Sequence, residues 1–232
     1  MKCIVTAGPT IEPLDQVRNL TNFSTGRLGT ELAGYLQRNG HSVQLFKSAT
    51  STFPESPAGV TIRSFHTSND LHRLLQEAAS DSKPFQALFH AAAVSDFQFG
   101  NLHRLNSEGT LVPLDRSGKI PTDAGSLFAE LIPTRKIINQ LRTWFPGAFI
   151  VGWKYEVNGS KADSLEKGYQ QMVTAHTDAC VVNGPAYGDG FGVVFSKATS
   201  SAQDGGDKVT HTPEKPELFF LLSSWIENNS KG

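Results

Sequence analysis

Between residues 6 and 29 the chain reads TAGPTIEPLDQVRNLTNFSTGRLG. The stretch brings together groups suited to holding an anion. Ser24, Thr25 and Gly26 stand just ahead of a helical pattern. A helix N-terminus offers backbone N–H groups without intrahelical partners and the positive end of the helix dipole. Hydroxyls and a glycine placed there make a phosphate site. The ordinary alternative is that Ser24 or Thr25 only caps the helix. Arg18 carries the guanidinium fork that suits phosphate, or else forms a surface ion pair. Asn22 is either a turn former or a donor to a ligand oxygen.

Four later stretches could carry chemistry: HAAAVSDF (90–97), SGKIPT (117–122), FIVGWKYEV (149–157) and VVNG (181–184). Asp96 is a hydrogen-bond acceptor or a turn cap, and Lys119 a reaching cation or a solvated loop lysine. His90 reads better as a packed histidine than as a base. Trp153 either stacks on a ligand ring or belongs to the core. Neither nucleotide fingerprint, G-x-G-x-x-G or G-x-x-x-x-G-K-[ST], is present. The first strand and the first helix are also far apart, with about nineteen residues between Thr6 and Gly26, where a dinucleotide turn uses only a few. Both points weigh against an ordinary dehydrogenase or P-loop enzyme.

The elements that must position these groups follow from periodicity. KCIVT, SVQLF (42–46), VTIRSF (60–65), ALFHAAAV (87–94), AFIVGWKYEV (148–157) and ACVVNG (179–184) read as strands. Several are almost continuously apolar, as in parallel strands covered on both faces. Leu28, Leu32, Tyr35 and Leu36 mark a helix that Gly40 ends. Further helices are expected over 68–79 with Ser68 as N-cap, over 134–144, over 160–175, and from Thr212 or Pro213 to about 228. Residues 97–125 read as a long active-site loop, with a short hairpin at TLVPLD as an option. Residues 191–211 read as an antiparallel β appendage around a flexible turn, SSAQDGGD. The alternation predicts one domain over 1–232, a doubly wound, Rossmann-like α/β fold with a mostly parallel sheet. Ligands then bind at the carboxyl ends of the strands.

Composition narrows the class. The chain has 232 residues and a net charge of −1, so nothing draws it in bulk to nucleic acid or anionic membrane. No apolar run is long enough for a membrane span, and MKCIVTAG turns polar too early for a secretory signal. Cys3 and Cys180 both lie in apolar strands and read as buried structural thiols, which suits a cytoplasmic protein.

The opening stretch resembles the signature of the phosphopantothenoylcysteine synthetase family, T-A-G-G-T-x-E-x-x-D-x-V-R-x-I-x-N-x-S-S-G-x-x-G. Thr6, Ala7, Gly8, Thr10, Glu12, Asp15, Val17, Arg18, Asn22, Ser24, Gly26 and Gly29 fall in register. HAAAVSDF is similar to that family's A-A-A-V-A-D-[YF], SGKIPT to its mobile K-I loop, FIVGWKYEV to its V-G-F-x-x-E-T strand, and VVNG to its A-N-D strand end. The resemblance runs in order along nearly the whole chain. No region resembles the flavin-dependent decarboxylase half of the bifunctional members, so no flavin is expected.

The resemblance implies a ligase of coenzyme A biosynthesis. The carboxylate of 4′-phosphopantothenate attacks the α-phosphorus of CTP or ATP, with Mg2+, and cysteine then displaces the nucleotide. It places Asn22 on the acyl oxygen and Arg18 on the substrate phosphate, with Ala93 beside them. It places Lys119, on its closing loop, against the triphosphate. It gives Gly8, Ser24, Thr25, Gly26, His90, Ala91, Ala92, Asp96, Thr134, Arg135, Lys136, Ile137 and Trp153 to the nucleotide, and it implies a homodimer whose subunits pair through the β appendage, here residues 191–211. Pro9 stands for a glycine of the pattern, no threonine follows Glu156, and Lys161 and Lys167 lie out of register with that family's basic residues. These departures keep two other readings open: a non-catalytic nucleotide-binding relative, and an NAD(P)-dependent reductase. The reductase reading lacks both the glycine fingerprint and a Tyr-x-x-x-Lys pair.

Overall fold

The computed structural model describes residues 1–122, 125–196 and 208–229. Six strands run parallel: β1 (Lys2–Ala7), β4 (Ser42–Ser48), β5 (Thr61–Phe65), β6 (Ala87–His90), β10 (Phe149–Tyr155) and β11 (Ala179–Asn183). Two antiparallel strands, β12 (Phe191–Phe195) and β13 (Lys208–Thr212), extend the same sheet, in the order β13-β12-β11-β10-β6-β1-β4-β5. The parallel strands therefore follow the doubly wound order, with the switch point between β1 and β6. The "appendage" of 191–211 is thus the edge of the main sheet. Its turn, SSAQDGGD, lies outside the described residues.

Both faces of the parallel strands are apolar because both are covered. Cys3, Val5 and Ala7 pack with Leu32, Ala33 and Leu36 of α1 (Arg27–Arg38), and the same layer takes in Leu218, Phe219 and Leu222 of α5 (Lys215–Asn229). Ile4, Leu88 and Ile150 point the other way, onto α2 (Ser68–Ala79) and α3 (Ile138–Trp144). Cys180, Val182 and Val194 meet Met172 of α4 (Lys161–Ala175) on that face. Burial pushes both cysteine thiols up to about 12, so they are inert core residues. Among the described residues no helix is long and apolar enough to cross a membrane.

Capping sets where the helices begin. Thr67, not Ser68, caps α2 in a reciprocal box with Asp70, and Ser160 caps α4 in the same way with Asp163. α1 ends at Asn39, and Gly40 follows with φ +84°.

Two small sheets lie outside the main one. β2 (Ile11–Pro13) and β3 (Asn19–Thr21) form a hairpin within the long first connection. Within the segment expected to be a loop over 97–125, residues 97–105 and 111–113 are strands. β7 (Phe97–Leu105) pairs with β8 (Leu111–Pro113) on one side and β9 (Leu127–Pro133) on the other. A register shift between Phe99 and Leu102 breaks the alternation that would have marked β7. The helix expected from Thr134 starts four residues later, at Ile138. Thr134 instead donates its N–H to the Asp96 carbonyl at 2.9 Å and its hydroxyl to the Ser95 carbonyl at 2.5 Å.

Candidate active site

The site is assembled where β1 and β6 end. β6 stops at His90 rather than at Val94, because the next residues turn to bind the loop after β1. Ala93 donates to the Gly8 carbonyl at 3.0 Å. Its own carbonyl accepts from Thr10 N–H at 3.1 Å and from the Asn22 side-chain amide at 3.0 Å. Asn22 and Ala93, assigned to one substrate on sequence grounds, therefore touch. Asn22 is exposed, and its amide nitrogen has a second N–H to give.

Thr6 braces this junction from below, a role not read from the sequence. Its hydroxyl accepts from Ala92 N–H at 3.0 Å and lies 3.0 Å from His90 Nδ1. The hydroxyl and Nδ1 of the ring share this hydrogen bond. Burial holds the His90 pKa down at about 4, which keeps the ring neutral. His90 is a packed structural residue, and only the backbone beyond it faces the site.

Two glycines shape the neighbouring wall. Gly8 has φ +89° and Gly26 φ +79°, both in the left-handed region. A Cβ on Gly26 would lie 2.5 Å from Ser51 Oγ and 3.2 Å from the Gly8 Cα. The end of β1 and the start of α1 are thereby pressed together. A Cβ on Gly29, one turn later, would sit 2.7 Å from that of Ala7. The three roles of a dinucleotide fingerprint (tight turn, close approach, helix–strand packing) are thus met by glycines far apart in sequence.

Gly26 is itself the N-cap residue, and no side chain caps α1. Ser24 Oγ and Thr25 Oγ1 stand 3.4 and 3.3 Å from Gly26 N and Arg27 N. The Thr25 carbonyl accepts from Ser51 Oγ at 2.6 Å and Phe53 N–H at 3.1 Å, which fixes the turn. The first turn of α1 thus presents N–H groups and two hydroxyls with no carboxylate among them.

The remaining candidates separate. Asp96 and Lys136 pair with each other, their side chains 65% and 60% exposed. Arg135 is exposed beside them. Ile137 is buried in the core against α2 and α3, so its side chain cannot face a ligand. Trp153 packs on the α1–α5 side of the sheet, with its indole N–H buried and unpaired. Arg18 is drawn into an ion pair with the buried Asp15. That guanidinium holds the Asp15 carboxyl well below the usual carboxylate range. Arg18 also donates to the Ile120 carbonyl at 2.8 Å, next to the exposed Lys119. At the end of β10, Lys154 and Lys167 both contact Glu156, at 3.2 and 2.6 Å.

Fold and site together define a doubly wound α/β protein with an open helix N-terminus beside the switch point. The chain belongs to the family described as "DNA/pantothenate metabolism flavoprotein C-terminal domain", whose model matches residues 1–228. It is 30% identical over 186 residues to the "Coenzyme A biosynthesis bifunctional protein CoaBC" of Thermococcus kodakarensis, covering 78% of this chain and 41% of that protein. It is 27% identical over 222 residues to the protein of the same name from Mycolicibacterium smegmatis, covering 90% and 50%. The chain thus spans about half the length of these relatives or less. The crystal structure of the "DNA/Pantothenate Metabolism Flavoprotein" from Streptococcus pneumoniae superposes with a TM-score of 0.79 at 26% identity, covering 99% of both chains.

Proposed function

We propose that this chain is a phosphopantothenate–cysteine ligase acting in coenzyme A biosynthesis. The observation that carries the proposal is the meeting of Asn22 with Ala93 beside the uncapped start of α1. An acyl-transfer site needs donors aimed at the acyl oxygen and, next to them, a place for the phosphate that leaves. The names of the relatives point to the same pathway.

In this reading the carboxylate of 4′-phosphopantothenate attacks the α-phosphorus of CTP or ATP and expels pyrophosphate. The cysteine amine then attacks the acyl carbon, and the C–O bond to the nucleotide phosphate breaks. Asn22 donates its second N–H to the acyl oxygen as charge gathers there. Arg18 takes the substrate's terminal phosphate. Ser24, Thr25, Gly26 and the first turn of α1 hold nucleotide phosphate, and Lys119 reaches the triphosphate from its loop. Asp96 accepts from the nucleotide, with Thr134, Arg135 and Lys136 lining the same rim. Lys154 and Lys167 add positive charge where the sequence offered none in register. The backbone of Gly8 and of His90–Ala93 forms the floor. Mg2+ enters with the triphosphate, and a nucleotide-borne Mg2+ asks for only one or two protein carboxylates. Asp96 is the exposed carboxylate at this edge.

In place of the 191–211 appendage expected from the resemblance, we also assign pairing with a second copy to the β7–β9 sheet. Phe97, Leu105, Leu111, Leu127, Phe128, Leu131 and Ile132 are all exposed there, an apolar surface that favours association.

The test is pyrophosphate release with Mg2+, 4′-phosphopantothenate, and CTP or ATP in turn, with and without cysteine. The expected result is substrate-dependent pyrophosphate with one nucleotide and amide product only when cysteine is present. Folded protein that releases no pyrophosphate with either nucleotide refutes the ligase.

A further inference from the structure

One buried carboxylate joins the two cationic arms of the site. Asp15 Oδ1 accepts Val17 N–H at 2.8 Å and Arg18 N–H at 2.7 Å, which forms the turn between β2 and β3. Asp15 Oδ2 accepts Arg18 Nε at 3.1 Å, Arg18 Nη2, and Ile120 N–H at 3.1 Å. The same Nη2 donates to the Ile120 carbonyl at 2.8 Å. Ile120 is thus gripped through both of its backbone polar groups, and its side chain is buried. Gln16 adds a contact to the Ser117 carbonyl at 2.5 Å. The loop so held is the one that carries Lys119.

We infer that Asp15 is the positioning residue of the Lys119 loop, and that through Oδ2 it ties Arg18 to the backbone at Ile120, beside Lys119. The inference rests on the roles proposed above for Arg18 and Lys119. Asp15 touches neither substrate in this scheme. Its two oxygens divide the work: Oδ1 shapes the hairpin turn, and Oδ2 clamps the loop. Asparagine at this position keeps one acceptor oxygen and replaces the other with a donor. Its oxygen can still form the local turn, as asparagine commonly does. Its NH2 would then face the guanidinium and the Ile120 N–H, three donors with no acceptor among them. Asp15→Asn therefore breaks the clamp and leaves the turn.

The experiment is limited trypsin digestion of the full chain, scored by mass at the Lys119–Ile120 bond. Hydrogen bonds to a charged group are strong, and cleavage follows the population of the open form, so the nick should quicken at least about tenfold in Asp15→Asn. Cleavage elsewhere should stay near that of the parent, while the thermal midpoint should fall, because Arg18 and the Ile120 N–H lose their charged acceptor. Arg18→Lys keeps the charge but cannot span the carboxylate and the Ile120 carbonyl together, so it should quicken the nick to a lesser degree. The kinetic counterpart is a raised KM in Asp15→Asn for the nucleotide, through Lys119, and for the acyl substrate, through Arg18. An unchanged nick rate in folded Asp15→Asn overturns the clamp. If Asp15→Asn does not fold, an unchanged rate in Arg18→Lys overturns it. Parent protein that nicks as predicted but releases no pyrophosphate refutes the ligase and leaves the clamp standing.

Discussion

The junction of β1 with β6 and the exposed rim at Asp96 and Lys119 are built differently. At the junction the buried polar groups are paired: Thr6 with Ala92 and His90, and Ala93 with Gly8, Thr10 and Asn22. At the rim the charges are exposed, and Asp96 and Lys136 have mainly each other. Buried hydrogen bonds are costly to break, whereas exposed ion pairs exchange partners at little cost. The junction can hold a reacting acyl group in fixed geometry. The rim can give up its internal contacts to a charged ligand. Changes at the junction should therefore cost chemistry or stability, and changes at the rim should cost affinity.

The largest effect is expected at Asn22. Asn22→Asp removes the donor and sets a negative charge beside the acyl oxygen. Loss of one such donor costs about 10²–10³-fold in rate. The acyl-nucleotide should still form and accumulate, while amide formation slows by about that factor. Rapid-quench analysis with labelled acyl substrate separates the two steps, and normal amide yield refutes the role.

Next in size is the effect of His90 on stability. Its folded pKa is about 4 against an ordinary 6.5. Above pH 6.5 the ring is neutral in both states and the fold keeps its full stability. As pH falls from 6.5 to 4, the unfolded chain binds a proton that the folded one refuses. Stability then drops by up to about 3 kcal/mol from this residue, and below pH 4 the loss is complete. Urea unfolding across that window should show the slope, and His90→Asn should flatten it. A slope unchanged in that variant removes His90 as its cause.

Gly26→Ala comes third. The left-handed backbone costs a side chain about 1–2 kcal/mol, and the new Cβ would press on Ser51 Oγ at 2.5 Å. For a chain of this size the thermal midpoint should fall by about 2–8 °C. An unchanged midpoint would mean that the approach of β1 to α1 has slack.

How far each region could be read from sequence follows the same division. The parallel strands were legible because burial on both faces leaves unbroken apolar runs such as ALFH and ACVVN. The start of α1 was legible because its glycines and hydroxyls are local. Thr6 was not: in sequence it is one more strand residue, and its hydroxyl matters only because parallel pairing sets Thr6 against His90. Asp15 was matched in a motif but given no role, since its partner Ile120 lies 105 residues away. β7 and β9 escaped because their apolar residues are exposed and their alternation is broken. The burial of the Ile137 side chain was not legible because the α2 residues it packs with lie far away in sequence.

The smallest effect on the fold, and the sharpest test of the comparison, is expected at Asp96. The Asp96–Lys136 pair is exposed on both sides, and such pairs contribute about 0–1 kcal/mol. Asp96→Asn should therefore leave the midpoint of urea unfolding where it is. It should still raise the KM for the nucleotide, because in the bound state the carboxylate accepts from the ligand instead of from Lys136. The variant exchanges the charge for an amide that still carries one acceptor, so the loss should be in affinity and not in the rate of the committed complex. Isothermal titration with each nucleotide, set beside the unfolding midpoint, gives both numbers on one sample. A stability loss like that of Gly26→Ala would make the rim as structural as the junction, and the division between them would fail. Unchanged affinity with unchanged stability would leave Asp96 a surface residue and move the nucleotide contact to Lys154 and Lys167 at the end of β10.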